Sequence, residues 1–205
     1  MIREMEHLGG DLMILGVGGK MGPTLAKLAK KAADKARVQK RIIGVSRFSD
    51  AALKEDLENN GIETISADLL DDEQLQQLPN VKNIIFMAGQ KFGTTGRESF
   101  TWAMNVYLPG RVAEKFKSSR IVSLSTGNVY PLTPISAGGA TEETRPDPVG
   151  EYAQSCLGRE RIFTYFSQRN GTPMLHFRLN YAIDLRYGIL LEIANAVKTG
   201  QPVHL

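Results

Sequence analysis

Residues 16–22 read Gly16-Val17-Gly18-Gly19-Lys20-Met21-Gly22. The apolar run Leu12-Met13-Ile14-Leu15 leads into them, and a helical pattern opens at Pro23. A strand, a tight glycine turn and a helix start make a pyrophosphate-binding unit. One glycine takes a backbone conformation closed to side chains, one lets the backbone approach the phosphates, and one lets helix and strand pack closely. The helix N-terminus adds unpaired N–H groups and partial positive charge. On this reading Gly16, Gly18, Gly19, Lys20, Met21 and Gly22 meet a dinucleotide. The alternative is a plain strand–helix turn of another α/β protein, and the order strand–glycines–helix argues against it.

Further along, Ser46-Arg47 ends an apolar run. A dinucleotide site for NAD usually places an acid there, against the ribose 2′-OH. Ser46 can donate, and Arg47 can pair with a 2′-phosphate in a charge-assisted way, so the pair points to NADP, with NAD as the alternative. Arg47 on a solvated loop is the competing reading. Asp68-Leu69 follows the next run, and Asp68 either accepts from an adenine amino group or caps a helix. Ala88-Gly89 are small residues that let the backbone run close to a cofactor ribose.

The elements that must position these residues alternate. Strands are expected at 12–15, 41–46, 62–66, 83–88, 120–125 and 173–179. Helices are expected at 23–37, from Ser49 or Asp50 to 59, and at 71–78, 98–117, 149–168 and 185–199. Pro109 should kink or split the fourth of these. The stretch 130–150 is too long for a simple connection. Alternating strands and helices predict an α/β fold, a doubly wound parallel sheet of Rossmann type, whose ligands sit beyond the carboxyl ends of the strands.

The 205 residues suffice for one domain with a buried core. A net charge of +3 with interspersed signs argues against nucleic acid as a partner. No apolar run approaches a membrane span, so no membrane is expected. One cysteine, Cys156, precludes an internal disulfide framework and fits a cytoplasmic setting. His7 and His204 lie near the termini and His176 within a strand, a spacing that makes no metal site.

Ser125-Thr126-Gly127-Asn128-Val129-Tyr130 follows the fifth strand, and Glu151-Tyr152-Ala153-Gln154-Ser155-Cys156 opens the next helix. With the glycine turn, Asp68-Leu69, Asn105-Val106, Glu142, Pro146, Pro148 and Arg178-x-Asn180, these residues resemble the extended short-chain dehydrogenase/reductases, the NAD(P)-dependent epimerase/dehydratase family. The resemblance spans nearly the whole chain. It implies that Thr126 or Ser125 hydrogen-bonds the reacting substrate oxygen and that Tyr152 is the general acid/base during hydride transfer. It also implies that Asn105 supports the active-site helix and that Asn180 lies near the nicotinamide or substrate. The implied substrate is a small molecule with a hydroxyl or carbonyl carbon, such as a nucleotide sugar, and a homodimer is the implied assembly. The domain expectation is a dinucleotide-binding unit over 1–184, with 185–205 beginning a substrate-binding region.

Two departures stand out. The family has a lysine four residues after the tyrosine, and here that position, also at the cofactor, is Cys156. An unperturbed tyrosine titrates at about 10. A neutral thiol cannot stabilise its phenolate as an ammonium does. Arg159, one turn beyond Cys156 on a similar face, is placed to substitute in part. The second departure is that the sequence stops after one more helix, where extended members continue. Two functions therefore stay open: an NAD(P)-dependent oxidoreductase, epimerase or dehydratase, and a non-catalytic NAD(P)-binding regulator or redox sensor.

Overall fold

The computed structural model describes residues 1–91, 95–184 and 187–203. Strand β1 (Leu12–Leu15) is buried along its whole length, as a central parallel strand must be. Its side chains alternate: Met13 and Leu15 enter one core, Leu12 and Ile14 the other. Strands β2 (Ile42–Ser46), β3 (Glu63–Ser66), β4 (Asn83–Phe86), β5 (Arg120–Thr126) and β6 (Met174–Leu179) complete one sheet in the order β3-β2-β1-β4-β5-β6. Every pairing in it is parallel, in register Leu15↔Phe86 and Phe86↔Ser123 across the middle. The order reverses between β1 and β4, which opens a crevice at the carboxyl ends of those strands. The expected doubly wound α/β architecture is therefore present.

Helices cover both faces. On one side, α2 (Gly22–Lys35) lays Ala26, Ala29 and Ala32 against the sheet, and these small side chains let it approach closely. Helix α3 (Ala51–Asn59) is capped by Asp50, whose carboxylate accepts from Ala52 N at 3.0 Å. On the other side lie α4 (Asp72–Gln77), α5 (Glu98–Trp102), α6 (Leu108–Lys115) and α7 (Gly150–Asn170). Phe163 of α7 packs edge-on against Phe86 at 5.2 Å between ring centres. Helix α8 (Ile189–Thr199) follows β6. It starts later than expected; residues 185 and 186, like His204, lie outside the described residues. A short helix α1 (Ile2–His7), which the sequence pattern does not announce, packs near α2 through Met5.

The expected split near Pro109 takes a particular form. Residues Ala103–Tyr107 make a π-helical turn between α5 and α6, closed by Leu108 N to the Ala103 carbonyl. Proline lacks the N–H that would bond the carbonyl four residues back. The wider turn absorbs that break and swings Asn105 fully into the interior.

Candidate functional site

The glycines at the β1–α2 turn divide by what a side chain would meet. Gly16 has φ +88°, and a Cβ there would lie 2.6 Å from Ala88 N. At Gly22 it would lie 2.1 Å from the Val17 carbonyl oxygen, and at Gly18 2.4 Å from Ser46 Oγ. Gly16 and Gly22 are demanded by the backbone around them, whereas at Gly18 the Ser46 hydroxyl would have to move. Gly19 differs: its nearest neighbour would be Gly16 O at an ordinary 3.6 Å, and it lines the adjoining cavity. Its bareness serves no close contact within the described residues and leaves that side of the cavity open.

That cavity, about 630 Å³, lies beyond the carboxyl ends of β1, β4, β5 and β6. It brings together Gly16, Gly19, Lys20, Met21, Gly89, Ser125, Thr126, Tyr152 and Asn180 from the sequence expectation. Residues the sequence reasoning missed join them: Lys91 directly after Gly89-Gln90, and Tyr187, Ile189 and Glu192 from the segment entering α8. The Lys20 ammonium stands 5.6 Å from the Tyr187 ring centre, so this segment reaches the glycine turn. Adjacency to Gly89 in sequence could have flagged Lys91; nothing local flags Tyr187.

Other expected residues lie around the cavity rather than in it. Arg47 is exposed on the loop after β2, and Ser46 lies against Gly18. Asp68 does not cap α4. Its carboxylate accepts from Leu70 N at 3.0 Å in a local turn, and Asp71 caps instead, accepting from Gln74 N. A helix cap must sit one residue before the helix, and Asp68 is too early. Leu69 and Ala88 are buried. Gly89, in the cavity wall, is also required by the packing behind it, because a Cβ there would meet Arg159 Nη2 at 2.3 Å and Asn105 Oδ1 at 2.9 Å.

At the reactive end, Thr126 and Ser125 separate clearly. The Ser125 hydroxyl donates to Glu160 Oε1 at 2.5 Å. Thr126 Oγ1 accepts from Asn128 N at 3.2 Å and lines the same cavity as Tyr152. Asn180 packs onto Gly127, where a Cβ would clash with its Oδ1 at 1.6 Å. Asn105 ties the floor together. Its Oδ1 accepts from Gln90 N at 2.9 Å and Arg159 Nη2 at 2.7 Å, and its Nδ2 donates to Gln90 O at 3.0 Å and Ser155 Oγ at 2.9 Å.

Electrostatics sets the protonation states. Burial pushes the Tyr152 phenol up to about 12, with the adjacent Cys156 adding to the rise; Arg159 and the Thr126 hydroxyl pull the other way. Burial also raises the Cys156 thiol, against the pull of Arg159, so it stays neutral and unreactive at neutral pH. Behind them, burial opposes ionisation of Glu160, but hydrogen bonds from Arg178 and Ser125 outweigh it and hold the carboxyl low. Arg178 grips both Glu160 oxygens, Nε to Oε1 at 3.0 Å and Nη2 to Oε2 at 2.7 Å, and donates to the Tyr130 hydroxyl at 2.8 Å. Removing one partner of such a buried pair costs roughly 3–5 kcal/mol. The network therefore clamps the ends of β5 and β6 to α7. Among the described residues no group of His, Cys, Asp and Glu could hold a metal ion, and no helix is long and apolar enough to cross a membrane.

Comparison with known proteins agrees with this geometry. Residues 12–183 match the NAD dependent epimerase/dehydratase family. No curated protein matches the sequence. Among solved structures, the chain is similar to DesIV, a dTDP-glucose 4,6-dehydratase from Streptomyces venezuelae with NAD and TYD bound. The TM-score is 0.76 at 17% identity, covering 92% of this chain and 62% of that one. It is also similar to dTDP-glucose 4,6-dehydratase from Bacillus anthracis in complex with NAD (TM-score 0.74, 16% identity, 92% and 62% covered). A third is UDP-glucuronic acid 4-epimerase from Bacillus cereus in complex with NAD (TM-score 0.70, 15% identity, 95% and 66% covered). The chain thus spans about two thirds or less of the length of these structures.

Proposed function

Because the chain belongs to the NAD dependent epimerase/dehydratase family, we propose that its cavity binds a nicotinamide dinucleotide and that the protein acts on a hydroxyl or carbonyl carbon of a nucleotide sugar. The single observation that carries this reading is Gly19. It is bare at the mouth of α2, faces a cavity that also holds Thr126 and Tyr152, and has no fold-level need to be glycine. The cradle therefore fits a pyrophosphate at the helix N-terminus. When bound, the cofactor accepts or returns hydride at its nicotinamide ring. The protein's own residues do the rest. Thr126 hydrogen-bonds the reacting oxygen, and Tyr152 exchanges the proton of that oxygen. Asn105 and Ser155 hold α7 at the right height. In this reading 1–184 is the dinucleotide-binding unit, and 185–205 begins a substrate-binding region, supported by Ile189 and Glu192 in the cavity wall.

Incubation with NADP or NAD and a panel of nucleotide sugars tests the activity. Nicotinamide absorbance and product identity must be read together, because an epimerase recycles its cofactor. Altered sugar that depends on Tyr152 supports the reading. Cofactor binding without turnover would establish the second reading, a non-catalytic NAD(P)-binding protein. That alternative draws on a phenol pushed up to about 12 beside a neutral thiol.

The same phenol fixes the pH dependence. Below about 12, Tyr152 is protonated and ready to donate. Carbonyl reduction should therefore run at a pH-independent rate through the neutral range and fall only towards pH 12. Hydroxyl oxidation, which needs the phenolate, should rise about tenfold per pH unit over the same range. A pH–rate profile in each direction checks this; an oxidation rate flat from neutral pH upward would contradict it.

Cofactor choice rests on Arg47. With a serine and an arginine after β2 and no acid, NADP should bind about tenfold or more tighter than NAD, the worth of one charge-assisted contact. Arg47 is exposed, so the preference should shrink as salt rises. Arg47→Ala should reduce it to about threefold or less. Paired titrations of both cofactors, at low and high salt, measure it.

A further inference from the structure

The buried cation next to Tyr152 is Arg159. It is 6% exposed and follows Tyr152 by two helical turns on α7. Long helical side chains lean back towards the N-terminus, and the guanidinium meets Leu124 and the space at Gly89, two residues that line the same cavity as Tyr152. It is held from three sides. Nη1 donates to the Leu124 carbonyl at 2.8 Å, Nη2 donates to Asn105 Oδ1 at 2.7 Å, and its carbon stands 5.6 Å from the Phe86 ring centre. Gly89 leaves the room it needs.

Among the described residues its hydrogen-bond acceptors are neutral, and Nε has none. Glu160, the nearest acid on α7, spends both oxygens on Arg178 and Ser125. Among the described residues no carboxylate forms an ion pair with Arg159. A buried cation with no ion pair of its own is costly, and arginine cannot shed its charge to escape that cost. Its field reaches Cys156, Tyr152 and Glu160, and of these Cys156 and Tyr152 are the neutral groups that could become anions.

We infer that Arg159 is a positioning residue that holds a permanent positive charge against Tyr152, so that the anion developing on the phenol oxygen is stabilised from within α7. Cys156 then has a complementary part: a small neutral side chain leaves the guanidinium its place. This inference rests on the assignment of Tyr152 as acid/base. It also accounts for a chain that keeps Thr126 and Tyr152 yet has no ammonium one turn after the tyrosine.

Other titratable or charged groups facing this pair are Cys156 and Glu160 on α7, Lys91 after β4, and His176 with Arg178 on β6. None of them is altered in the test. The ionisation of Tyr152 is followed by NMR of ring-labelled tyrosine, with Tyr152→Phe identifying its signal. It is measured without cofactor and again with NADP, in the protein, in Arg159→Met and in Arg159→Lys. At about pH 11, Arg159→Met should lower the phenolate fraction about tenfold or more, the effect of losing one nearby opposite charge. Arg159→Lys should recover more than half of that loss. A purely structural role would leave the fraction unchanged in every folded variant, or would treat the lysine and methionine variants alike; either result overturns the inference. If Arg159→Met does not fold, Gly89→Ala decides. It keeps the charge but drives it off its seat, and should lower the phenolate fraction at least about threefold; an unchanged fraction overturns the inference too. Failure of the underlying reading shows separately, as a protein that binds no NADP while its cofactor-free titration still reports on Arg159.

Discussion

Gly19→Val is expected to weaken dinucleotide binding by about 100-fold or more, roughly 3 kcal/mol, with little change in thermal stability. The effect is steric and local. A Cβ at Gly19 meets nothing closer than 3.6 Å within the protein, so the fold accepts it. The branched side chain then stands in the cavity, where backbone N–H groups at the start of α2 would face the pyrophosphate. Gly22 supplies the contrast. A Cβ there would press to 2.1 Å from a backbone oxygen, and nothing flexible can yield, so Gly22→Val should fail to fold. Calorimetry for binding and circular dichroism for folding separate the two variants. Unchanged affinity in Gly19→Val would mean that the bare glycine faces solvent and nothing else.

Cys156→Lys is expected to lower both stability and activity, even though it restores the family's residue. Cys156 is 1% exposed, and the buried Arg159 guanidinium already acts on it and on Tyr152. A second buried cation there meets a like charge and has no carboxylate, because Glu160 is engaged by Arg178. A buried, uncompensated charge costs on the order of 3–5 kcal/mol. The double variant Cys156→Lys/Arg159→Leu removes the conflict and should be more stable and more active than Cys156→Lys alone, a coupling that a double-mutant cycle measures. Tyr152→Phe in each background is the control. Loss of an acid/base group costs about 10²–10⁴-fold in rate, so any active form should lose its activity. A gain of activity in the single Cys156→Lys variant would contradict the account, because it would show that Arg159 supplies nothing the lysine would.

The sheet was legible because its signals are local. Runs such as Leu12–Leu15, ended by glycines and followed by helical periodicity, mark each strand and the crevice beyond it. The roles of individual residues were less legible, because they depend on contacts far apart in sequence. Gly89 looks like a residue cleared for a ligand, yet its missing side chain makes room for Arg159, seventy positions later. Ser125 and Thr126 look interchangeable until Glu160 takes one of them. Asp68 looks like a helix cap until Asp71 proves closer to the helix start. Pro109 announces a break, but not that the break is a π-helical turn that turns Asn105 inward. The sequence pattern runs the last helix back to 185, and so gives no sign that Tyr187, ahead of α8, stands over Lys20.

The most direct measurement is a calorimetric titration of NADP and of NAD into the protein and into Gly19→Val. The account predicts one site per chain, tighter for NADP than for NAD, and lost in the variant. Absence of binding by either cofactor to the unaltered protein, or equal binding to both proteins, would contradict it.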